Sequence, residues 1–365
     1  MKNEKCFLIF HSPFFILHSS LTSPEPGDYD LGLTTLDATT TRHISLATIR
    51  AAAEGVYEAA VRTPLVALST AAGSPQIYLK LETLQPIGSF KIRGAYNAVR
   101  HLTADQLAGG VWTVSAGNAA QGVALAAKKR GAACSVMVMD TAPRTKLDAI
   151  ERLGATIVQA PYEECWRTVE RHGSDRMPGH FVHPFDDDLF ISGNGTIGLE
   201  IVDDLPDVDA VIAPIGGGGL LAGIACALHT LRPEAVVYAA EPETAAPLAA
   251  SFHAGHASYF DGWKASFVDG AGGRSVLPGM WPLLRQWVAE SIVVSLDDVA
   301  AAMKTVAERV HVIAEGAAAC AVAAALSPAM AARGHRKVLA VVSGGNIDLA
   351  RFAQLVGACE PKSEV

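Results

Sequence analysis

Four short stretches carry residue types that chemistry needs. Gly216–Gly219 sets four consecutive glycines between an apolar strand pattern and a helical one. Without side chains, their backbone N–H groups can converge, and the helix start adds partial positive charge. The turn therefore suits an anion, phosphate above all. No Lys and Ser/Thr follow in P-loop order, which argues against nucleotide triphosphate hydrolysis. Gly217, Gly219 and Ala222 also match a dinucleotide fingerprint, with Glu241 following at a strand end. Taken alone, the turn leaves a phosphate site, a dinucleotide site and an ordinary strand–helix turn all open.

Lys91 lies just inside a helix start, between Phe90 and Ile92. It is either a snorkelling surface residue or a desolvated amine. Desolvation disfavours the ammonium and leaves a neutral nucleophile able to form a Schiff base. Ser115-Ala116-Gly117-Asn118 is a small-residue loop running into a helix. It can wrap a carboxylate with backbone N–H groups while Asn118 donates to a phenolate-like oxygen, or it is a plain turn and cap. Ser343-Gly344-Gly345-Asn346 follows the apolar run VLAVV and offers Ser343 to a ring nitrogen, or is a plain turn. Weaker candidates read as structure. His253 and His256 lack a nearby third ligand and read as loop histidines, Asp186–Asp188 suits a solvated face or cap or could hold a cation, and Arg93 suits a salt bridge within its own helix. H-E-x-x-H and G-x-S-x-G are both absent from the sequence.

The elements that position these stretches alternate. Strand patterns lie at 77–82, 110–117, 134–140, 155–160 and 235–241, and at 209–219 and 337–346, where each runs into its glycine turn. Helical patterns lie at 45–61, 89–102, 118–131, 141–154 and 220–231. Such alternation means βαβ units and parallel sheets, which bind ligands beyond the C-terminal strand ends. The loops at 115–118, 215–219, 241–247 and 343–346 are thus the ones to inspect.

The composition sets bounds. At 365 residues the chain suggests about two domains. With 50% hydrophobic and 18% charged residues, it is not a disordered chain, a coiled coil or a disulfide mini-protein. A net charge of −8 with no basic stripe argues against a nucleic-acid partner. Six cysteines, none in a C-x-x-C pair, fit reduced thiols in a cytoplasmic enzyme. Residues 1–40 begin with an apolar stretch that His11–Pro13 interrupts, and are expected to be a loose extension or the product of an early start codon rather than a targeting segment. The uncharged stretches 210–231 and 316–332 read as buried elements, so no membrane association is expected.

Taken in order, Thr63-Pro64-Leu65, LKLETLQPIGSFKIRGA (79–95), SAGNAAQG (115–122), PIGGGGLLAGI (214–224), AEPE (240–243), AEGAAA (314–319) and SGGN (343–346) resemble the serine/threonine dehydratase (threonine ammonia-lyase) family. Its members are pyridoxal 5′-phosphate (PLP) enzymes similar to the tryptophan synthase β chain. The resemblance covers roughly residues 45–355 and displaces the dinucleotide reading. It implies an α/β fold of type II with two domains, built of mostly parallel sheets flanked by helices. The large domain would combine 41–104 and 187–357, a small mobile domain would span 105–186, and 358–365 would be a tail. Lys91 resembles the Schiff-base lysine, with Phe90 packed near the ring. Gly216, Gly217, Gly218, Gly219 and Leu220 resemble the phosphate cradle. Asn118 resembles the group at the ring oxygen, and Ser343 the partner of the ring nitrogen. Ser115, Ala116, Gly117, Asn118 and Ala119 resemble the loop that holds the substrate carboxylate, and Glu315 is a candidate active-site acid.

The implied activity is loss of water from a small amino-acid substrate, L-threonine or L-serine, giving an α-keto acid and ammonia. A homodimer or homotetramer is expected. Several departures matter. Ala119 replaces the usual His, and Ala116 stands where racemising relatives carry Ser, so dehydration rather than racemisation is expected. In the divalent-cation loop Glu241 and Ala245 fit, but Pro247 takes the place of the second acid, so metal dependence is not expected. The chain ends about 20 residues after SGGN, and control through a following regulatory domain is not expected. A β-replacement enzyme like cysteine synthase, an NAD-dependent oxidoreductase and a non-catalytic amino-acid sensor are the rivals.

Overall fold

Runs of Val, Ile, Leu and Ala closed by glycine or polar turns form the strands of the protein. In the computed structural model residues 42–68 and 74–358 are described; residues 1–40 and nearly all of the tail lie outside them. In chain order the strands are β1 (Leu65–Leu68), β2 (Gln76–Leu81), β3 (Val111–Val114), β4 (Cys134–Met139), β5 (Thr156–Ala160), β6 (His180–Phe181), β7 (Ala210–Pro214), β8 (Val236–Pro242), β9 (Glu290–Val294) and β10 (Lys337–Val342). The helices used below are α1 (Leu46–Val56), α2 (Lys91–Arg100), α3 (Ala104–Ala108), α4 (Asn118–Lys129), α5 (Arg144–Arg152), α6 (Tyr162–Glu170), α7 (Asp188–Asp204), α8 (Gly219–Leu231), α9 (Pro247–Ala254), α10 (Trp281–Trp287), α11 (Leu296–Val310) and α12 (Gly316–Leu326).

One sheet has the order β1-β2-β10-β7-β8-β9, and the other β5-β4-β3-β6. Every pairing is parallel except β1 with β2. At the centre, β10 pairs on both sides, Val338 with Ile77 of β2 and with Ala210 of β7. Its interior residues are fully buried, as a parallel strand covered on both faces must be.

The expected elements form, with shifted ends. Ser45 caps α1 in a capping box, but the helix stops at Val56 rather than Val61. Residues 57–60 turn instead, preparing the extended chain that Pro64 demands. Helix α2 starts at Lys91 rather than Ser89, because Ser89 bridges to Gly344 and Phe90 N–H donates to Ser343 O (3.0 Å). Helix α7 was not legible. Its first thirteen residues mix Phe and Ile with Ser, Gly, Asn and Thr, and most are buried, so there is no polar face to read. It fits between α2 and α8 because glycines allow close approach. A Cβ on Gly223 would lie 2.5 Å from Ile191 O.

Helices α8 and α12 carry the two uncharged stretches and are core elements, and no described helix is long and apolar enough to cross a membrane.

Arg93 corrects one expectation. It pairs with other elements, not within its helix. Its guanidinium donates to both oxygens of Glu82 (2.8 Å each) and both of Glu200 (2.6 and 3.0 Å). Lys80 Nζ lies 2.7 Å from Glu200, and Tyr57 and Thr63 donate to the same carboxylates. Two cations and two anions thus neutralise each other with almost no exposure. Burial raises the Glu200 carboxyl, but Arg93 and Lys80 outweigh it and hold the group below its usual range. The network ties α2, and with it Lys91, to β2 and α7.

Candidate active site

The loops after β2, β3, β7 and β10 meet at the C-terminal ends of their strands. The loop before α2 is zipped to the one after β10, where Gly345 N–H also donates to Gly88 O (2.9 Å). This places Lys91 beside Ser343, which is 3% exposed. Lys91 Nζ donates to Pro184 O (2.6 Å) and lies 5.3 Å from the ring centres of both Phe90 and Phe190. Burial lowers its pKa from 10.5 to about 8, while the Glu315 charge pulls the other way. Lys91 is therefore the desolvated amine, not a snorkelling surface residue.

The Pro184 carbonyl was not anticipated. His183 fixes it: Nδ1 accepts from Asp186 N–H (2.7 Å) and Phe185 N–H (3.3 Å), so the ring proton lies on Nε2, facing Val169 O (3.1 Å). Burial holds His183 neutral, with its pKa pulled down to about 3. The signal was the H-P-F-D-D run at 183–187, whose acids the sequence offered as a solvated face, a cap or a cation site. Asp187 does cap α7, accepting from Phe190 N–H (2.7 Å), and Asp186 and Asp188 both pair with Arg42.

At the glycine turn, Gly218 has φ +92, a left-handed conformation that Gly adopts without strain. A Cβ on Gly216 would lie 2.5 Å from Gly270 O, and one on Gly219 would lie 2.6 Å from Phe185 O. One on Gly217 would run into the Phe185 ring. No side chain caps α8, so its first-turn N–H groups remain for an anion. Leu220 anchors that turn in the core at 5% exposure.

Ser115 and Gly117 form a tight turn, Gly117 N–H donating to Ser115 Oγ (3.1 Å), and α4 also starts with no side-chain cap. Ala116 is half-buried against apolar neighbours, and Ala119 is buried. Asn118 Nδ2 donates to Glu315 Oε1 (2.7 Å). Burial raises the Glu315 carboxyl from 4.5 to about 7, partly offset by the Asn118 hydrogen bond. Glu315 also crowds Gly344, where a Cβ would lie 2.8 Å from Oε1. Lys91, Asn118, Glu315, Ser343 and the glycine turn are thus linked by contiguous contacts.

Glu241 lies elsewhere. Its oxygens accept from the N–H groups of Leu248 (2.8 Å) and Ala249 (2.9 Å) and from Ser291 Oγ (2.5 Å), at the start of α9. Burial raises its pKa to about 7. It is fully buried and so does not face a dinucleotide ribose. Ala245 is buried beside it, and Pro247 opens α9. Among the described residues no cluster of three His, Cys, Asp or Glu could hold a metal. His253 lies on α9, not in a loop.

The residues fit PLP. A side-chain-free turn at an uncapped helix can hold an anion. A desolvated amine is at hand, and Ser89 Oγ, buried beside Gly344, has no hydrogen-bond partner among the described residues. Known proteins agree. An L-threonine ammonia-lyase of Thermotoga maritima is 39% identical over 287 residues, 77% of this chain and 70% of that one. The processed form of threonine deaminase isoform 2 from Solanum lycopersicum superposes with a TM-score of 0.76 at 31% identity, covering 86% of this chain and 91% of that one. Maize serine racemase gives 0.77 at 32% identity, covering 85% and 96%. The family model described as pyridoxal-phosphate dependent enzyme matches residues 56–344. The chain belongs to the pyridoxal-phosphate dependent enzyme family.

Proposed function

We propose that this protein eliminates water from a β-hydroxy-α-amino acid, L-threonine or L-serine, and releases an α-keto acid and ammonia. The observation that carries the reading is the Lys91 amine, with its pKa lowered to about 8, held in one site with Asn118, Glu315, Ser343 and the glycine turn. The names of the threonine ammonia-lyase and threonine deaminase relatives support it. Lys91 would attach the cofactor, and residues 216–220 would hold its phosphate. Asn118 would donate to the ring oxygen, Ser343 would face the ring nitrogen, and Phe90 would pack near the ring. The N–H groups of residues 115–119 would hold the substrate carboxylate.

Bound PLP supplies a sink for the electron pair left at the substrate Cα. Lys91, as a neutral amine, would take the Cα proton and could hand it to the departing β-hydroxyl. Ser343, a hydroxyl rather than a carboxylate, would not hold a proton on the ring nitrogen, which would favour prompt loss of the β-group. Ala116 presents no proton donor, which favours elimination over racemisation. Glu315, with its pKa raised to about 7, holds a proton near neutral pH beside Asn118. Residues 105–186, which carry the sheet β5-β4-β3-β6, would move as a small domain against the rest and exclude water. A reducing, cytoplasmic setting accords with four buried free cysteines, and a homodimer or homotetramer with the family resemblance.

The test is keto-acid release from L-threonine, L-serine and 3-hydroxyaspartate without added thiol. Release from one of these, lost in Lys91→Ala, supports the reading. Turnover only when a thiol is supplied would replace it with β-replacement.

A further inference from the structure

Asn346 closes the S-G-G-N run and has no part in the reading above. Its side chain lies where three loops meet. Nδ2 donates to Ile87 O (2.7 Å) and to Asn118 Oδ1 (2.7 Å). Asn118 in turn donates Nδ2 to Glu315 Oε1 (2.7 Å). The Asn346 oxygen lies against Gly88, where a Cβ would approach to 2.8 Å. Main-chain bonds hold the loops at this spacing: Gly345 N–H to Gly88 O (2.9 Å) and Glu315 N–H to Gly344 O (3.0 Å).

The direction of this chain is forced. A backbone carbonyl only accepts, so the Asn346 atom facing Ile87 O must be the amide nitrogen. Its second N–H then points at Asn118, whose facing atom must be oxygen. With its oxygen held on that side, Asn118 presents its nitrogen on the other, toward the Glu315 carboxyl. One N–H of that nitrogen serves Glu315. The other is the donor assigned above to the cofactor ring oxygen.

We infer that Asn346 is a positioning residue that sets which face of the Asn118 amide meets the cofactor. This rests on the proposed role of Asn118. Without Asn346 only Glu315 holds the Asn118 amide, and a protonated carboxyl can donate to the amide oxygen as readily as it accepts from the nitrogen, so the amide can turn; the turned form sets a carbonyl oxygen against a phenolate-like oxygen. The order of action is Ile87 carbonyl, Asn346, Asn118, ring oxygen. Asn346 therefore acts only through Asn118.

The experiment uses the full chain in five forms: wild type, Asn346→Ala, Asn346→Asp, Asn118→Ala and the Asn118→Ala/Asn346→Ala double variant. Two readouts besides activity are taken, the PLP dissociation constant and the pH dependence of the visible band of bound PLP. Wild-type protein that fails to bind PLP defeats the underlying reading; once it binds, the variants test Asn346 alone. Asn346→Ala should weaken PLP about tenfold, the size of one hydrogen bond to a charged group, and shift the titration of the visible band. Asn346→Asp keeps the size but offers only acceptors when ionised, and should weaken PLP at least as much. In the Asn118→Ala background the further loss should fall below about twofold, because coupled residues are not additive. Equal losses in both backgrounds, or no loss at all, would overturn the inference. If Asn346→Ala fails to fold, the near-isosteric Asn346→Asp, made with and without Asn118→Ala, decides the same question.

Discussion

The Nζ of Lys91 lies 2.6 Å from the carbonyl oxygen of Pro184. The acceptor is neutral and the flanking groups are the Phe90 and Phe190 rings; among the described residues no carboxylate hydrogen-bonds the amine. Desolvation therefore outweighs the more distant Glu315 charge, and the ammonium is disfavoured. A buried His183, kept neutral, holds the Pro184 loop without adding a counter-charge. The fold stores an amine poised to lose its proton.

That poise costs stability in the cofactor-free protein. The folded pKa of Lys91 lies below its unfolded value, so the unfolded chain binds more protons between about pH 8 and 10.5 and stability rises with pH there. Lys91→Met should stabilise the cofactor-free protein by about 3 kcal/mol below pH 8, the gain vanishing toward pH 10.5. Melting temperatures across this range check it; a gain that grows with pH would contradict it.

Glu315 titrates in the opposite sense. Its folded pKa is raised from 4.5 to about 7, so the folded protein binds the extra proton and stability falls as pH rises through that window. Glu315→Gln, which keeps an acceptor for Asn118, should be neutral near pH 4.5 and stabilising above pH 7. The same cofactor-free melts would show it, with the trend reversed relative to Lys91→Met.

The buried network around Arg93 predicts a loss. Arg93→Met leaves Glu82 and Glu200 facing each other with one cation removed, and should cost about 3–5 kcal/mol. Removing Arg144, which pairs with Glu151 at 68% and 44% exposure, should cost under about 1 kcal/mol. Chemical denaturation of the two variants separates the cases; equal losses would mean that the network does not hold α2.

Much of this was legible because strands ending in glycine or small-residue turns announce both a parallel sheet and its ligand loops. Gly216–Gly219, Ser115–Asn118 and Ser343–Asn346 all follow strands as expected. Glu241 shows the limit. Its spacing matched a ribose acid and the family resemblance offered it as a cation ligand, yet its oxygens serve α9 and Ser291. Spacing does not reveal which backbone donors arrive from elsewhere. Arg93 was assigned to its own helix because its partners lie 11 and 107 residues away. Helix α7 went unread because a helix buried on most sides has no amphipathic period. Pro184 acts through its carbonyl, which every residue has, so no residue type pointed to it.

The central claim is that Lys91 carries the cofactor. Borohydride reduction of the PLP-loaded protein, followed by peptide mapping, tests it most directly. The account predicts a pyridoxyl label on the peptide containing Lys91 and none in Lys91→Ala. A label on another lysine, or none on protein saturated with PLP, would contradict it.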